Sequence, residues 1–458
     1  MGLEIPNSEK IRCCLDQHQC TQKTEKLLEE KYTHTKNPSR MGCKIPHIIS
    51  VFVFFLFFIS SVFPVRSEKL NGTYQKFRPG DESKKLKFIR EYLKKINKPP
   101  VKTIQSPDGD IIDCVFSHQQ PAFDNPKLKG QIPLDPPERP HGHPSRTRNM
   151  FQENFQVWSM SNEFCPQGTV PIRRTSEKDL LRSSNVRQFG SKLINNVQRD
   201  VSSSGNGHEH AVGYVSADSG DEYYGAKASV NVWAPTVEAQ YEFSLAQLWV
   251  ISGSFGDDLN TIEAGWQVSP EMYGDDRPRF FTYWTSDAYQ STGCYNLLCS
   301  GFLQTTNNVA FGAAISPTSA YSGGQFDINL LIWKDPKLGN WWLEFENVLV
   351  GYWPSFLFSH LSDSATMVQF GGEIVNSQSS GSHTSTQMGS GHFADEGFGK
   401  ASYFRNLQVV DEDNNLVPVS NLQVLADESS CYNIKDGVNS VWGNYFYYGG
   451  PGRNSNCT

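Results

Sequence analysis

The chain has 458 residues, with 41 Lys and Arg against 48 Asp and Glu, a formal charge of −7. That balance does not suit a nucleic-acid surface, which needs clustered cations. The length allows more than one domain. Composition then changes sharply near residue 200. Residues 68–203 hold 23 Lys and Arg against 15 Asp and Glu, a formal +8; residues 204–458 hold 9 against 27, a formal −18. Nine of the ten tryptophans lie in the acidic part.

At the front, residues 1–40 are polar and read as an upstream start or a cytoplasmic tail. Ile48 to Val65 is apolar and uncharged, borderline in length for a membrane span. Met41 and Lys44 before it, with Val65-Arg-Ser67 after it, predict a cleaved secretory signal over 41–67. A type II membrane anchor is the alternative. Asn71-Gly-Thr73 follows as a glycosylation pattern, which favours secretion. Six cysteines remain after the cleavage point. Spacing pairs Cys294 with Cys299 and Cys431 with Cys457, and elimination pairs Cys114 with Cys165. No zinc-ribbon spacing is present.

Residues 68–203 read as a small mixed α+β region with a linker. Leu86, Ile89, Leu93 and Ile96 recur at helical spacing and predict a helix over 83–96, which Pro99-Pro100 ends. Asp108-Gly109 is a turn between β-branched runs. Pro121 to Pro144 reads as an extended proline-rich linker. Gln188 to Asn206 is polar, and Ser202 to Gly207 reads as an exposed processing site.

Residues 204–458 read as all-β, an antiparallel β-sandwich. Short β-branched and aromatic runs at 228–232, 247–251, 279–284, 328–333 and 341–348 alternate with turn residues. Two strands carry a glutamate in the same setting. In 260–268, Ile262, Ala264, Trp266 and Val268 share an apolar face, with Glu263, Gly265 and Gln267 opposite. In 368–374, Val368, Phe370, Gly372 and Ile374 oppose Gln369, Gly371 and Glu373. Each glutamate has a glycine two residues away on its own face, where another backbone can approach closely. The plain alternative is a solvated polar face.

Several motifs occur together in order. They are Ile96-Asn-Lys-Pro-Pro-Val-Lys-Thr-Ile104, Asp108-Gly-Asp-Ile-Ile-Asp-Cys114, Gln120-Pro-Ala-Phe123 and Cys165 to Arg174. His208-Glu-His-Ala211, Ile262 to Trp266, Phe281-Thr-Tyr-Trp284, Gly293 to Cys299 and Phe370-Gly-Gly-Glu-Ile374 follow. In these the chain resembles the neprosin family of plant secreted proteins, whose characterised members are glutamic peptidases that cut after proline. The resemblance implies an activation peptide within 68–203 acting as an intramolecular inhibitor. It also implies a catalytic domain over 204–458 with Glu263 and Glu373 as catalytic residues, no cofactor, and proline-containing peptides as substrates.

Other chemistry finds less support. His208 and His210 share a strand face and could bind a metal, but no third ligand stands at a diagnostic spacing, so a structural or substrate-side role is expected. Asp218-Ser-Gly220 reads as a turn. No Gly-x-Ser-x-Gly elbow or phosphate-binding loop appears. Trp341-Trp342 and Tyr352-Trp353 are expected in the core, although such aromatics can line a cleft. The rival functions are a non-catalytic cell-wall or carbohydrate-binding sandwich and a two-carboxylate glycoside hydrolase.

Overall fold

The computed structural model describes residues 82–143, 155–161, 163–192, 207–217, 222–378 and 382–458. The expected signal or anchor, Asn71, most of the 188–206 stretch and Asp218-Ser-Gly220 lie outside them. Among the described residues no helix is long and apolar enough to cross a membrane.

The basic region before residue 204 builds as its sequence suggests. Helix α1 (Glu82–Ile96) buries Ile89 against Leu180, Val186 and Phe189. Strands β1 (Pro100–Gln105), β2 (Ile111–Phe116) and β3 (Thr169–Arg173) form an antiparallel sheet. Gly109, at φ +94°, makes the turn between the first two. Ile104, Ile112 and Cys114 pack with Trp158 and Cys165 onto Ala310 and Ala313, and the Cys114–Cys165 disulfide closes this small core. Helix α2 (Glu177–Arg182) starts with a capping box between Ser176 and Asp179.

The remaining strands are β4 (His208–Ser216), β5 (Gly225–Asn231), β6 (Ser244–Ser252), β7 (Asn260–Val268), β8 (Arg279–Thr285), β9 (Leu303–Gln304), β10 (Asp327–Lys334), β11 (Trp341–Phe345), β12 (Val348–Trp353), β13 (Met367–Val375), β14 (Ser402–Val410), β15 (Leu416–Pro418), β16 (Gln423–Ala426), β17 (Asn433–Asn439) and β18 (Gly443–Gly449). They form two antiparallel sheets. One has nine strands, in the order β17-β18-β14-β5-β10-β11-β12-β9, with β15 beside β14. The other has six, in the order β16-β4-β13-β6-β7-β8. Alternate residues of each meet in one core, including Ile262, Ala264 and Trp266 from β7, Val368 and Phe370 from β13, and Ile328, Leu330 and Ile332 from β10. This is a β-sandwich. The disulfides Cys294–Cys299 and Cys431–Cys457 join in the acidic part.

Two expectations need correction. The run 341–348 is not one strand. Glu346 and Asn347 both take positive φ, 51° and 59°, and turn β11 into β12, because a two-residue hairpin needs that backbone. The 121–144 stretch is also not a free linker. Over its described part, Ala122, Leu128 and Leu134 cover Leu331, Trp333, Trp342 and Tyr352 on the outer face of the nine-stranded sheet. Arg139 Nε donates to Glu344 Oε2 at 2.7 Å, and His143 Nε2 lies 2.6 Å from Glu344 Oε1. Burial pushes the Glu344 carboxyl up, but His143 and Arg139 outweigh it and hold it low. Of the expected core aromatics, Trp341 and Trp353 face the sandwich interior, while Trp342 and Tyr352 lie under this strap.

Gly265 is fixed by packing rather than by a turn. A Cβ there would lie 2.0 Å from the Ala246 carbonyl oxygen and 2.6 Å from Gln247 Cα. Gly265→Ala is expected to lower the urea midpoint of the full-length chain, costing about 1–3 kcal/mol. An unchanged midpoint would show that β6 and β7 can part without penalty.

Candidate active site

The outer face of the six-stranded sheet brings the two glutamates together. Strands β13, β6 and β7 are neighbours, and register places Gly371, Gln247 and Gly265 in one row across them. Glu373 stands one pleat beyond Gly371. Glu263 stands one pleat from Gly265 in the opposite sense. The two carboxylates therefore reach Gln247 from opposite diagonals, over neighbours that carry no side chain. Gln247 Nε2 donates to Glu263 Oε2 at 3.0 Å and to Glu373 Oε2 at 3.5 Å.

Neither glutamate is solvated: Glu263 is 0% exposed and Glu373 3%. Glu263 Oε1 accepts from Tyr289 Oη at 2.7 Å and from Thr261 Oγ1 at 2.9 Å. Glu373 Oε1 lies 2.6 Å from His208 Nδ1. His210, opposite Glu373 on β4, holds its own ring Nδ1 2.9 Å from Asp427 Oδ2. The two histidines thus hydrogen-bond different carboxylates, although both stand beside Glu373.

The cation at the middle is Lys192, from the basic part of the chain. Its Nζ lies 2.7 Å from Glu263 Oε2 and 3.6 Å from Glu373 Oε2. It also sits 5.4 Å from the ring centroids of both Tyr283 and Tyr289. Its backbone N–H donates to Tyr283 Oη at 3.2 Å. Two residues earlier the Gly190 carbonyl accepts from the Tyr295 N–H at 2.8 Å. Gly190 has φ +87°, and a Cβ there would meet Leu298 Cδ1 at 2.5 Å, so only glycine lets the chain turn into the cleft here. Cys294–Cys299 closes the loop that carries Tyr295 and Leu298.

Burial opposes charge on Lys192 and on Glu373. For Lys192, burial pushes the ammonium down, but the two glutamates outweigh it and hold it well above its ordinary range. For Glu373, burial pushes the carboxyl up, while the Lys192 charge and the His208 hydrogen bond hold it well below the usual range. Burial raises Tyr289 and Tyr295 far above the ordinary phenol value, so both remain neutral donors.

Sequence reasoning singled out both glutamates and both glycines. It missed Lys192, Gln247 and Tyr289. Lys192 sits in a polar stretch with no periodicity. Gln247 belongs to a strand buried at every position, so alternation gave no signal.

Comparison with known proteins matches two segments of the chain. Residues 103–214 match the family model for the neprosin activation peptide, and residues 240–451 match that for neprosin. The chain belongs to the neprosin family. It is organised as a peptidase zymogen, activation peptide first and neprosin domain after it. Among solved structures it is similar to scytalido-glutamic peptidase with a peptide-based transition-state analogue, at 13% identity and TM-score 0.29, over 54% of this chain and 98% of that one. SCP-B, a member of the eqolisin family of peptidases in complex with the tripeptide Ala-Ile-His, is similar at 11% identity and TM-score 0.30, over 54% and 98%. CG-16, a homodimeric agglutinin from chicken liver, is similar at 10% identity and TM-score 0.20, over 35% and 93%. Scores this low carry no inference about chemistry. In this neprosin-family chain the activation-peptide match runs to residue 214, into β4 of the six-stranded sheet.

The ion cluster makes stability depend on pH. Glu373 titrates below its ordinary 4.5 and Lys192 above its ordinary 10.5. Their contribution is therefore complete between those ordinary values. It is lost as pH falls from 4.5 through the depressed value, or rises through the raised one. Lys192→Met should destabilise the full-length chain near neutral pH by about 3–5 kcal/mol, because it strands two buried carboxylates. The difference from wild type should shrink in acid, which paired denaturation curves across pH would check.

Proposed function

We propose that this chain is the zymogen of a secreted glutamic endopeptidase, with Glu263 and Glu373 as its catalytic pair and proline-containing peptides as its substrates. The observation that carries the reading is the diagonal of two buried carboxylates bridged by one amide and one ammonium. A carbohydrate-binding face would have no use for such a pair sealed under a lysine, and buried like charges are costly unless they serve a purpose.

The chemistry follows from two carboxyl groups that cannot cheaply ionise together. One, as carboxylate, takes a proton from water while the water oxygen attacks the peptide carbonyl carbon. The other, as carboxylic acid, gives its proton to the amide nitrogen as the C–N bond breaks. Lys192 blocks both steps, since its ammonium occupies the space between the carboxylates and keeps them charged. Acid weakens that hold, because a carboxyl that takes up a proton no longer attracts the ammonium. The diffuse attraction between the +8 and −18 parts weakens in the same direction. Lys192 lies over the Tyr283 and Tyr289 rings, so its departure bares two aromatic faces for a proline ring, which supports the family's proline preference for this chain.

Glu263→Gln and Glu373→Gln, each in acid-treated full-length protein given a proline-containing peptide library, are expected to lower turnover at least about 100-fold. Their thermal transitions should stay cooperative. Near-wild-type turnover by either variant would end the paired-glutamate reading. Cleavage unrelated to proline would leave the pair standing and remove the stated specificity.

Activation supplies a separate check. The wild-type chain should show a lag at acid pH before cleaving an added peptide, and Lys192→Ala should shorten it. An equal lag would place the block elsewhere than at the lysine.

A further inference from the structure

We infer that Glu373 is the base that activates water and Glu263 the acid that protonates the leaving nitrogen, with His208 and the Asp427-held His210 as the positioning residues that enforce this division. The inference rests on the paired-glutamate reading above and deepens it. Its basis is what surrounds each carboxyl once Lys192 has gone.

Around Glu263 the remaining partners are neutral. Tyr289 and Thr261 reach Oε1, and Gln247 reaches Oε2. Tyr283 and Tyr295 from β8 and the disulfide loop complete the surroundings, and the nearby Asp287 is engaged by Ser291 and Thr292. Among the described residues, Lys192 is the cation paired with Glu263. Each remaining partner suits a protonated carboxyl as well as an ionised one. Hydroxyls accept as readily as they donate, and an amide can present either end. Gln247 Oε1 is buried with no hydrogen-bond partner, so a turn of that amide would give the Glu263 proton an acceptor.

Around Glu373 the surroundings are cationic. From β4, His208 contacts Oε1 directly, and His210 stands opposite in the register. Gln247 from β6 is neutral. Asp427, just after β16, is the nearby like charge, and His210 is bonded to it through both backbone and ring. In acid, histidine side chains are cationic. Burial pushes His210 down, but the Asp427 hydrogen bond and the Glu373 charge outweigh it. An opposite charge within about 4–6 Å lowers a carboxyl pKa by about 1–3 units. Glu373 is therefore the carboxyl that cations hold as a carboxylate, while the neutral partners of Glu263 suit the proton the reaction needs. The water proton passes to Glu373 and the Glu263 proton to the amide nitrogen. Both Oε2 atoms face the space vacated by Lys192 Nζ, so a water there can return the proton from Glu373 to Glu263.

The test is the pH profile of kcat/KM for full-length protein activated in acid, with His208→Gln, His210→Gln and Asp427→Asn. The acid limb reports protonation of the base. Each histidine variant should move that limb up by about one pH unit, a roughly tenfold loss on the acid side. The basic limb should stay in place. Asp427→Asn, which removes the nearby like charge while His210 stays cationic in acid, should move the acid limb the opposite way, down. A shift of the basic limb alone would reverse the assignment, and no shift of either limb would leave the histidines merely structural. If Glu263→Gln or Glu373→Gln stayed active, the pair itself would fail, whatever the histidine variants did.

Discussion

Two carboxylates buried on one sheet face, with a single ammonium between them, are the constraint on which the rest depends. Like charges without water around them are unstable at neutral pH. The fold meets that in two ways. Gly265 and Gly371 clear the row beside Gln247, so both glutamates can lean toward one amide. The turn at Gly190 then delivers Lys192 to the same point. With the lysine in place, one ammonium compensates two carboxylates that burial would otherwise leave unpaired.

The attachment of the activation region is local rather than a broad contact of opposite charges. Its strap shields the outer aromatics of the nine-stranded sheet and ends on the buried Glu344. Its three-stranded sheet is tied in the opposite sense of charge. Asp110 from the basic part accepts from Arg279 of the acidic part at 2.5 Å, while Arg173 flanks the same carboxylate at 2.8 Å. Arg279 and Arg173 both lie over the Tyr273 ring. Net charge thus describes the two parts without predicting which groups meet. The apolar cover and the buried pairs do the holding, and the pairs centred on Glu344 and Glu373 are those whose carboxyls titrate low.

Legibility of the sequence followed the physics of each element. The α1 helix, the Asp108-Gly109 turn and the paired strands of Glu263 and Glu373 could be read, because side-chain period is fixed by backbone geometry. The run 341–348 reads as one strand because Trp341, Trp342, Leu343, Phe345 and Val348 outweigh the weak turn signal of Glu346-Asn347. Only the positive φ of Glu346 and Asn347 reveals the hairpin. The proline-rich 121–144 stretch looked like a linker because its apolar residues are sparse. Ala122, Leu128 and Leu134 matter through what they cover, not through their spacing.

By itself the sequence determined an all-β domain behind a small basic region, three cysteine pairs, and two glutamates in matching settings. These are local properties of period, composition and spacing. The tertiary structure alone decided that the glutamates share one amide, that His208 and His210 sit beside only one of them, and that Lys192 fills the gap. Each of those facts depends on strand order and register, which place β13 beside the consecutive strands β6 and β7 although it lies far from them in the chain. It also depends on a loop path that no periodicity encodes. A charge in a polar stretch looks solvated until the fold shows what surrounds it.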